Sequence, residues 1–266
     1  MVLSPSTARR PRPERTAGPS DRVAWHEVEC GGYRADLPLW RELAEEAGGR
    51  QRSARVLEIG AGTGRVALDL ARRGHRVTAL DLDPDLLDGL RAHAAGVELE
   101  TVCQDARTLA LRDRDFALCI VPMQTVQLLA GSNERVAFLR RARAHLRPGG
   151  LVACAIVGPL EPFVCDAHDA RPAPDVACRD GERYVSRVVR VRTTRAGVVI
   201  ERERVIGSAK GARRARASER DAVELARLSP RQLEREGIDA GLSPAPTRSV
   251  PGTREHVGSA VVMLRA

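Results

Sequence analysis

From residue 23 to about 150 the chain alternates short apolar runs with amphipathic stretches. Trp40, Leu43, Ala44 and Ala47 recur at helical spacing and predict a first helix. Arg55-Val56-Leu57-Glu58-Ile59 has the length and composition of a buried strand and is stopped by Gly60. Val66, Leu70 and Ala71 share one face of a helix that ends near Gly74, and residues 76–80 form a second strand. Asp83-Pro84 supplies an N-cap and a first-turn proline for a helix running to about residue 94. Strands are predicted at 97–103, 116–121 and 151–157, with a helix over 133–146 closed by Arg147-Pro148-Gly149-Gly150. Strands that alternate with helices make a parallel sheet covered on both faces, with right-handed crossovers.

The pattern changes after Gly158. Four prolines over 159–182 mark an irregular excursion. Residues 184–194 and 198–206 then alternate apolar and charged positions around Arg195-Ala196-Gly197, which is a β-hairpin with one wet face. Arg190 and Arg192 can face Glu201 and Glu203 across it. Ser229-Pro230-Arg231-Gln232 is a capping box that opens a last helix, stopped at Gly241. Residues 244–250 and 257–265 close the chain as an antiparallel pair. The expected division is a disordered tail over 1–22, an α/β core over 23–157, a β insertion over 158–220 and the remainder of the core over 221–266. The tail reading rests on Pro, Ser, Thr and Arg with almost nothing apolar to offset the entropy of ordering.

Composition narrows the function. The 43% hydrophobic content supports a core without disulfides or metal. Seven aromatics in 266 residues argue against a base-stacking nucleic-acid platform. No apolar run is long enough to span a bilayer and no apolar segment follows the N-terminal charges, so a cytoplasmic protein with no membrane partner is expected. The six cysteines show no metal-ligand spacing, so no metal is expected, and Cys103, Cys119 and Cys154 read as small buried hydrophobes. The net charge of +8 is concentrated: residues 179–220 carry 12 Arg, one Lys and five acids, whereas 23–178 carry 19 Arg and 22 acids. A basic insertion of this kind either steers an anionic acceptor or is a solvated face in an arginine-rich chain.

The most informative stretch is Glu58-Ile59-Gly60-Ala61-Gly62-Thr63-Gly64-Arg65, between a buried strand and a helix. Glycines there let a ligand approach the backbone, and the following helix offers N–H groups to it. A dinucleotide fingerprint needs a third Gly where Arg65 stands, and a Walker loop needs Gly-Lys-Ser/Thr. What remains is an acid, a spacer and G-x-G-x-G, with Asp81 ending the next strand.

This stretch resembles motif I of class I S-adenosylmethionine-dependent methyltransferases, of the bacterial small-molecule type. Asp81 matches the family's ribose-binding acid, Asp105-Ala106 the adenine-holding segment, and Leu146-Arg147-Pro148-Gly149-Gly150 the turn before the fifth strand. Residues 257–265 resemble its reversed final strand. The resemblance covers about 33–157 well and 221–266 in outline. It implies a Rossmann-like, seven-stranded, mostly parallel sheet with helices on both faces, an antiparallel final strand, and a small antiparallel β insertion acting as a lid. It implies S-adenosyl-L-methionine as cofactor, held by Tyr33, Glu58, Gly60, Ala61, Gly62, Thr63, Gly64, Asp81, Leu82, Asp105, Ala106 and Val121.

The loop after the fourth strand, Val121-Pro122-Met123-Gln124-Thr125-Val126-Gln127, lies beside the methyl group in that family. It is not Asn/Asp-Pro-Pro-Tyr/Phe, there is no Pro-Cys pair, and Lys210 is the single lysine. Nucleobase and RNA-ribose methylation are therefore disfavoured, and a small-molecule acceptor, anionic if the insertion steers it, is expected. Candidate groups near the acceptor are His26, His168, Gln124 and Gln127; an amide orients but cannot act as a base. Tyr33 and Trp40 are aromatics that could cover the cofactor or pack in the core. Alternatives left open are a nicotinamide-dependent oxidoreductase, a peptide or RNA methyltransferase, and a non-catalytic binding module.

Overall fold

The computed structural model describes residues 19–51, 53–165, 172–208, 217–253 and 256–266. In chain order the elements of the first half are α1 (Pro19–Cys30), α2 (Leu37–Gly48), β1 (Arg55–Ile59), α3 (Ala67–Arg72), β2 (Arg76–Asp81), α4 (Pro84–His93), β3 (Glu100–Cys103) and β4 (Phe116–Val121). They are followed by α5 (Ser132–His145), β5 (Leu146–Ile156), β6 (Phe163–Val164), β7 (Asp175–Arg179), β8 (Glu182–Thr193) and β9 (Gly197–Ser208). The chain closes with β10 (Ala217–Ala226), α6 (Pro230–Asp239), β11 (Ser243–Val250) and β12 (Ser259–Arg265).

The main sheet has seven strands in the order β11-β12-β5-β4-β1-β2-β3. β1 to β5 run parallel, and β12 runs antiparallel to both β5 and β11. The order reverses between β1 and β4, both central and buried. In open α/β sheets such a reversal leaves a crevice at the carboxyl ends of the strands. Alternate residues of β1 feed two cores. Val56 packs with Trp40, Leu43, Leu70, Leu87 and Leu90 under α2, α3 and α4. Leu57 packs with Cys119, Phe138, Leu139 and Leu233 under α5 and α6. This two-sided burial is why the strand reads as a continuous apolar run.

A separate antiparallel sheet has the order β10-β9-β8-β6, with β7 also on β8. The predicted hairpin is its centre, and the hairpin's Arg192 pairs with Glu201 at 3.0 Å. Ser229 caps α6 by accepting from the Gln232 N–H at 3.2 Å, as its sequence requires.

Several local expectations change. α1 begins at Pro19, inside the segment expected as tail; residues 1–18 lie outside the described residues. The excursion after Gly158 contains the short strands β6 and β7, and β10 carries the second sheet on to Ala226. β5 starts at Leu146 because a register shift between Phe116 and Leu118 lets the Pro-Gly turn bulge without ending the pairing. β3 is shorter than predicted, and Cys103 is exposed, since β3 is an edge strand with one open side. Cys119 and Cys154 are buried as expected. No helix among the described residues is long and apolar enough to cross a membrane.

Candidate functional site

The glycine loop leaves the end of β1 and is tied down on three sides. The Ala61 N–H donates to the Leu80 carbonyl on β2 at 3.0 Å, and the Gly64 N–H closes a turn onto the Ala61 carbonyl at 2.9 Å. The Gly62 N–H donates to Asp81 Oδ2 at 2.8 Å. Asp81 Oδ1 accepts from the Asp83 N–H at 2.9 Å. Asp81 thus braces the loop, while the capping of α4 falls to Asp83, which accepts from the Asp85 N–H at 2.9 Å. The helix after the loop, α3, spans only Ala67–Arg72, so the segment before it turns tightly rather than forming a full helical start.

Two of the glycines are required by space and conformation. Gly62 has φ +55°, and a Cβ there would stand 2.3 Å from the His26 imidazole. Gly64 has φ +90°, and a Cβ there would stand 2.7 Å from Leu90 Cγ on α4. The first contact brings α1 down onto the loop; the second packs the loop onto the helix after β2.

Arg65, at the position where a dinucleotide site needs glycine, anchors the loop from behind. Its guanidinium forks onto the Asp36 carboxylate, with Nη2 to Oδ2 at 2.8 Å, and both side chains are almost fully enclosed. It also donates to the Tyr33 carbonyl at 2.9 Å and lies 5.3 Å from the centre of the Tyr33 ring. Asp36 takes a further hydrogen bond from Trp40 Nε1 at 2.8 Å, which places Trp40 in the core rather than over a ligand. The Tyr33 ring meets the His256 imidazole at 4.9 Å, and burial pushes its phenol pKa up.

Glu58 is the unusual group. It is 2% exposed at the end of β1, and its Oε2 has no hydrogen-bond partner. Burial pushes its pKa up to about 8, against the opposing pull of the nearby Arg65 charge. A buried carboxyl with an orphan oxygen at a strand end is poised for a cationic partner.

Asp105 lies at the end of β3 but is already engaged. It caps the turn Ala106–Thr108 by accepting from the Arg107 N–H at 2.8 Å, and the Arg107 guanidinium grips the same carboxylate. That ion pair holds Asp105 below its ordinary pKa. Arg107 continues to Glu134 at 2.7 Å. Ala106 opens that turn and Val121 is buried at the end of β4, whereas Leu82 is 66% exposed beside Asp81, a large apolar side chain left uncovered at the sheet's edge.

His26 is half-buried over the loop, with Nδ1 3.3 Å from Thr63 Oγ1. Burial lowers its pKa, with Asp81, Glu29 and Glu27 pulling the other way, so the imidazole is neutral at neutral pH. Gln124 sits in the loop after β4 with φ +61° and donates to Ser259 Oγ at 3.1 Å. Gln127 is consumed structurally: its Oε1 accepts from the Val157 N–H at 2.8 Å and its Nε2 donates to the Ala226 carbonyl at 3.0 Å. His168 lies outside the described residues. Thr125, which stands over Gly60, and Ser259 and His256 were not singled out in the sequence, where each sits in a loop or at a strand start without a motif. Among the described residues no cluster of His, Cys, Asp and Glu could hold a metal ion.

Residues 56–150 match the profile of a family described as a methyltransferase domain. The cypemycin N-terminal methyltransferase of a Streptomyces species is 34% identical over 137 residues, covering 52% of this chain and 54% of that protein. The ubiquinone biosynthesis O-methyltransferase of Methylobacterium sp. (strain 4-46) is 36% identical over 104 residues, covering 38% of this chain and 40% of that protein. The chain therefore spans about half, or less, of the length of the curated relatives it matches. In fold it is similar to the S-adenosylmethionine-bound amino pentose methyltransferase of Micromonospora echinaspora involved in calicheamicin biosynthesis. That structure gives a TM-score of 0.66 at 22% identity, covering 96% of this chain and 100% of that one. The matched segment contains the glycine loop, Asp81 and Asp105, and the sheet order agrees with the shared fold. Residues 56–150 are thus similar to methyltransferase domains, and the fold is similar to that of a solved S-adenosylmethionine-bound methyltransferase.

Proposed function

We propose that the protein transfers a methyl group from S-adenosyl-L-methionine to a small-molecule acceptor. The observation that carries this reading is the sealed Glu58 carboxyl with its unpaired oxygen, next to a glycine loop braced by Asp81. Both fit a ligand with an ammonium at one end and a sugar diol at the other. The cofactor, when bound, supplies an activated methyl on sulfur.

What the chain's own residues do follows from their chemistry. Asp81 keeps lone pairs on both oxygens and can accept the two ribose hydroxyls, a charge-assisted pair. Glu58 neutralises an ammonium beside the loop, directly or through a water. Leu82 offers an apolar surface to a purine. Asp105 shares its remaining acceptor capacity with the adenine amino group while Arg107 holds it in place, and Ala106 and Val121 line the base and methyl sides. His26 lies over the loop and, being neutral, can take a proton from an acceptor held within hydrogen-bond reach. Gln124, turned into the site by its left-handed backbone, orients the acceptor or a water with Ser259. His168 is a second base on the segment before β7. The antiparallel sheet acts as the lid that keeps the reacting atoms dry.

A small acceptor is supported by two of the similar proteins, the ubiquinone biosynthesis O-methyltransferase and the amino pentose methyltransferase, whereas the cypemycin N-terminal methyltransferase keeps a peptide acceptor as the second reading. Among the described residues of the insertion, Arg202 pairs with Asp175 at 2.8 Å and Arg204 with Glu29 at 2.7 Å, which favours the solvated-face reading over steering of an anion for these two guanidiniums.

Calorimetric titration with S-adenosylmethionine tests the reading. Binding is expected in the micromolar range, and Asp81→Ala is expected to weaken it about a hundredfold, the worth of two charge-assisted hydrogen bonds. Absence of binding heat at several temperatures and adequate protein concentration would remove it.

A further inference from the structure

Helix α1 is a wedge whose faces touch three different parts of the molecule. Trp25 meets Tyr184 of β8 edge-on at 5.1 Å, in a small core with Ala24 and Ile206 that is separate from the two main cores. Glu27 faces Arg179 of β7 at 3.0 Å and His93 of α4 at 3.3 Å. His26, between them, lies over Gly62 and Thr63. One turn further on, Glu29 accepts from Arg204 Nε at 2.7 Å and Nη2 at 2.9 Å, and from the Ser186 hydroxyl at 2.7 Å. Positions three apart lie on neighbouring lines of a helix, so a rotation that displaces Glu29 displaces His26 as well.

Arg204 is fixed to the sheet independently of α1. It pairs with Asp221 at 3.0 Å and Glu219 at 3.5 Å on β10. Its guanidinium also lies 5.6 Å from the centre of the Trp25 ring. The apolar contact of Trp25 sets how close α1 comes, but it is non-directional. A bidentate guanidinium–carboxylate pair is directional and sets an angle. The Arg204 and Glu29 side chains are 16% and 12% exposed, so water competes little for the fork.

We propose that Glu29 and Arg204 are positioning residues: together they fix the rotation of α1, and through it the placement of the His26 imidazole over Gly62 and Thr63, so that the antiparallel sheet governs the cover of the cofactor loop. The proposal rests on the reading of that loop as the cofactor site.

Glu29→Gln is the sharpest test, because it removes the charge at constant shape and leaves Arg204 with Asp221 and Glu219, so the sheet keeps its own pairing. Arg204→Met is the second variant, and the double variant completes the cycle. Imidazole NMR of the full chain without cofactor should show the His26 signals displaced in Glu29→Gln. Amide exchange should accelerate about tenfold in α1 and stay unchanged in β4 and β5. S-adenosylmethionine should bind about fivefold more weakly, since only the fraction with α1 correctly rotated is competent. The double variant should cost no more than the larger single one. Unmoved His26 signals with unaltered α1 exchange in Glu29→Gln would overturn the proposal, as would strictly additive losses. If Arg204→Met does not fold, the isosteric Glu29→Gln decides alone. A wild-type chain that binds no S-adenosylmethionine would overturn the cofactor reading, whereas the imidazole and exchange measurements would still decide the coupling.

Discussion

Glu58 and His26 pull the pH dependence of stability in opposite directions. The Glu58 carboxyl has a pKa near 4.5 when unfolded and about 8 when buried, so the folded state keeps a proton that the unfolded chain gives up. Its contribution is complete below the unfolded value and is lost as pH rises through the folded one. His26 is held below 6.5, so its contribution is complete above that value and is lost as pH falls. Comparing Glu58→Gln with the parent isolates the first effect. Thermal melts should show the variant more stable than the parent at pH 8 and equal to it at pH 5. A constant difference across that range would place the buried carboxyl in a different state from the one described. The glycine loop and its acids were legible in the sequence because small residues and carboxylates at strand ends leave a fixed spacing. That Glu58 would be sealed, that Arg65 would fork onto Asp36 and that Gln127 would tie β5 to β10 were not, since each depends on a partner distant in the chain.

At the scale of elements, the expectations failed where ionic faces replaced apolar ones. β10 alternates in exposure over its first eight residues, but two of its inward positions are Glu219 and Asp221, which meet Arg204, so hydrophobic periodicity was absent. In α1 the apolar face is short, Ala24, Trp25 and Val28 packing with Tyr184 and Ile206 while Val23 turns toward Gly89 of α4, and its helical signal was correspondingly weak. The same principle joins α5 to α6, where Arg135 and Glu236 form a two-pronged pair at 2.8 and 2.7 Å with both side chains nearly inaccessible. Arg135→Met leaves the carboxylate buried and unpaired, which costs about 3–5 kcal/mol. Urea unfolding should show that loss, and a change under 1 kcal/mol would mean that water reaches the pair. Gln127→Leu should cost about 1–3 kcal/mol by the same assay, because the Val157 N–H loses its acceptor.

For the whole molecule, the strand order puts the switch between β1 and β4, and Glu58, Asp81 and Asp105 stand at or just after the carboxyl ends of β1, β2 and β3. Binding of a cationic ligand beside Glu58 should drive off its proton. Calorimetry at pH 7 in buffers of different ionisation enthalpy should therefore show close to one proton released per S-adenosylmethionine bound, and none in Glu58→Gln. Equal heats in all buffers would detach Glu58 from the ligand. The individual strands, the hairpin, the caps of α4 and α6 and the glycine loop followed from the sequence alone, because each is specified by residues close together in the chain or by a period that one segment carries by itself; the joining of the strands into one seven-stranded sheet was implied by the family resemblance. The placement of His26 over Gly62, the ionic seam between α1 and the second sheet, and the sealing of Glu58 were decided only by the tertiary structure. Charged groups become stable in such places when folding brings their partners together and removes the water, and neither condition is written in any single segment.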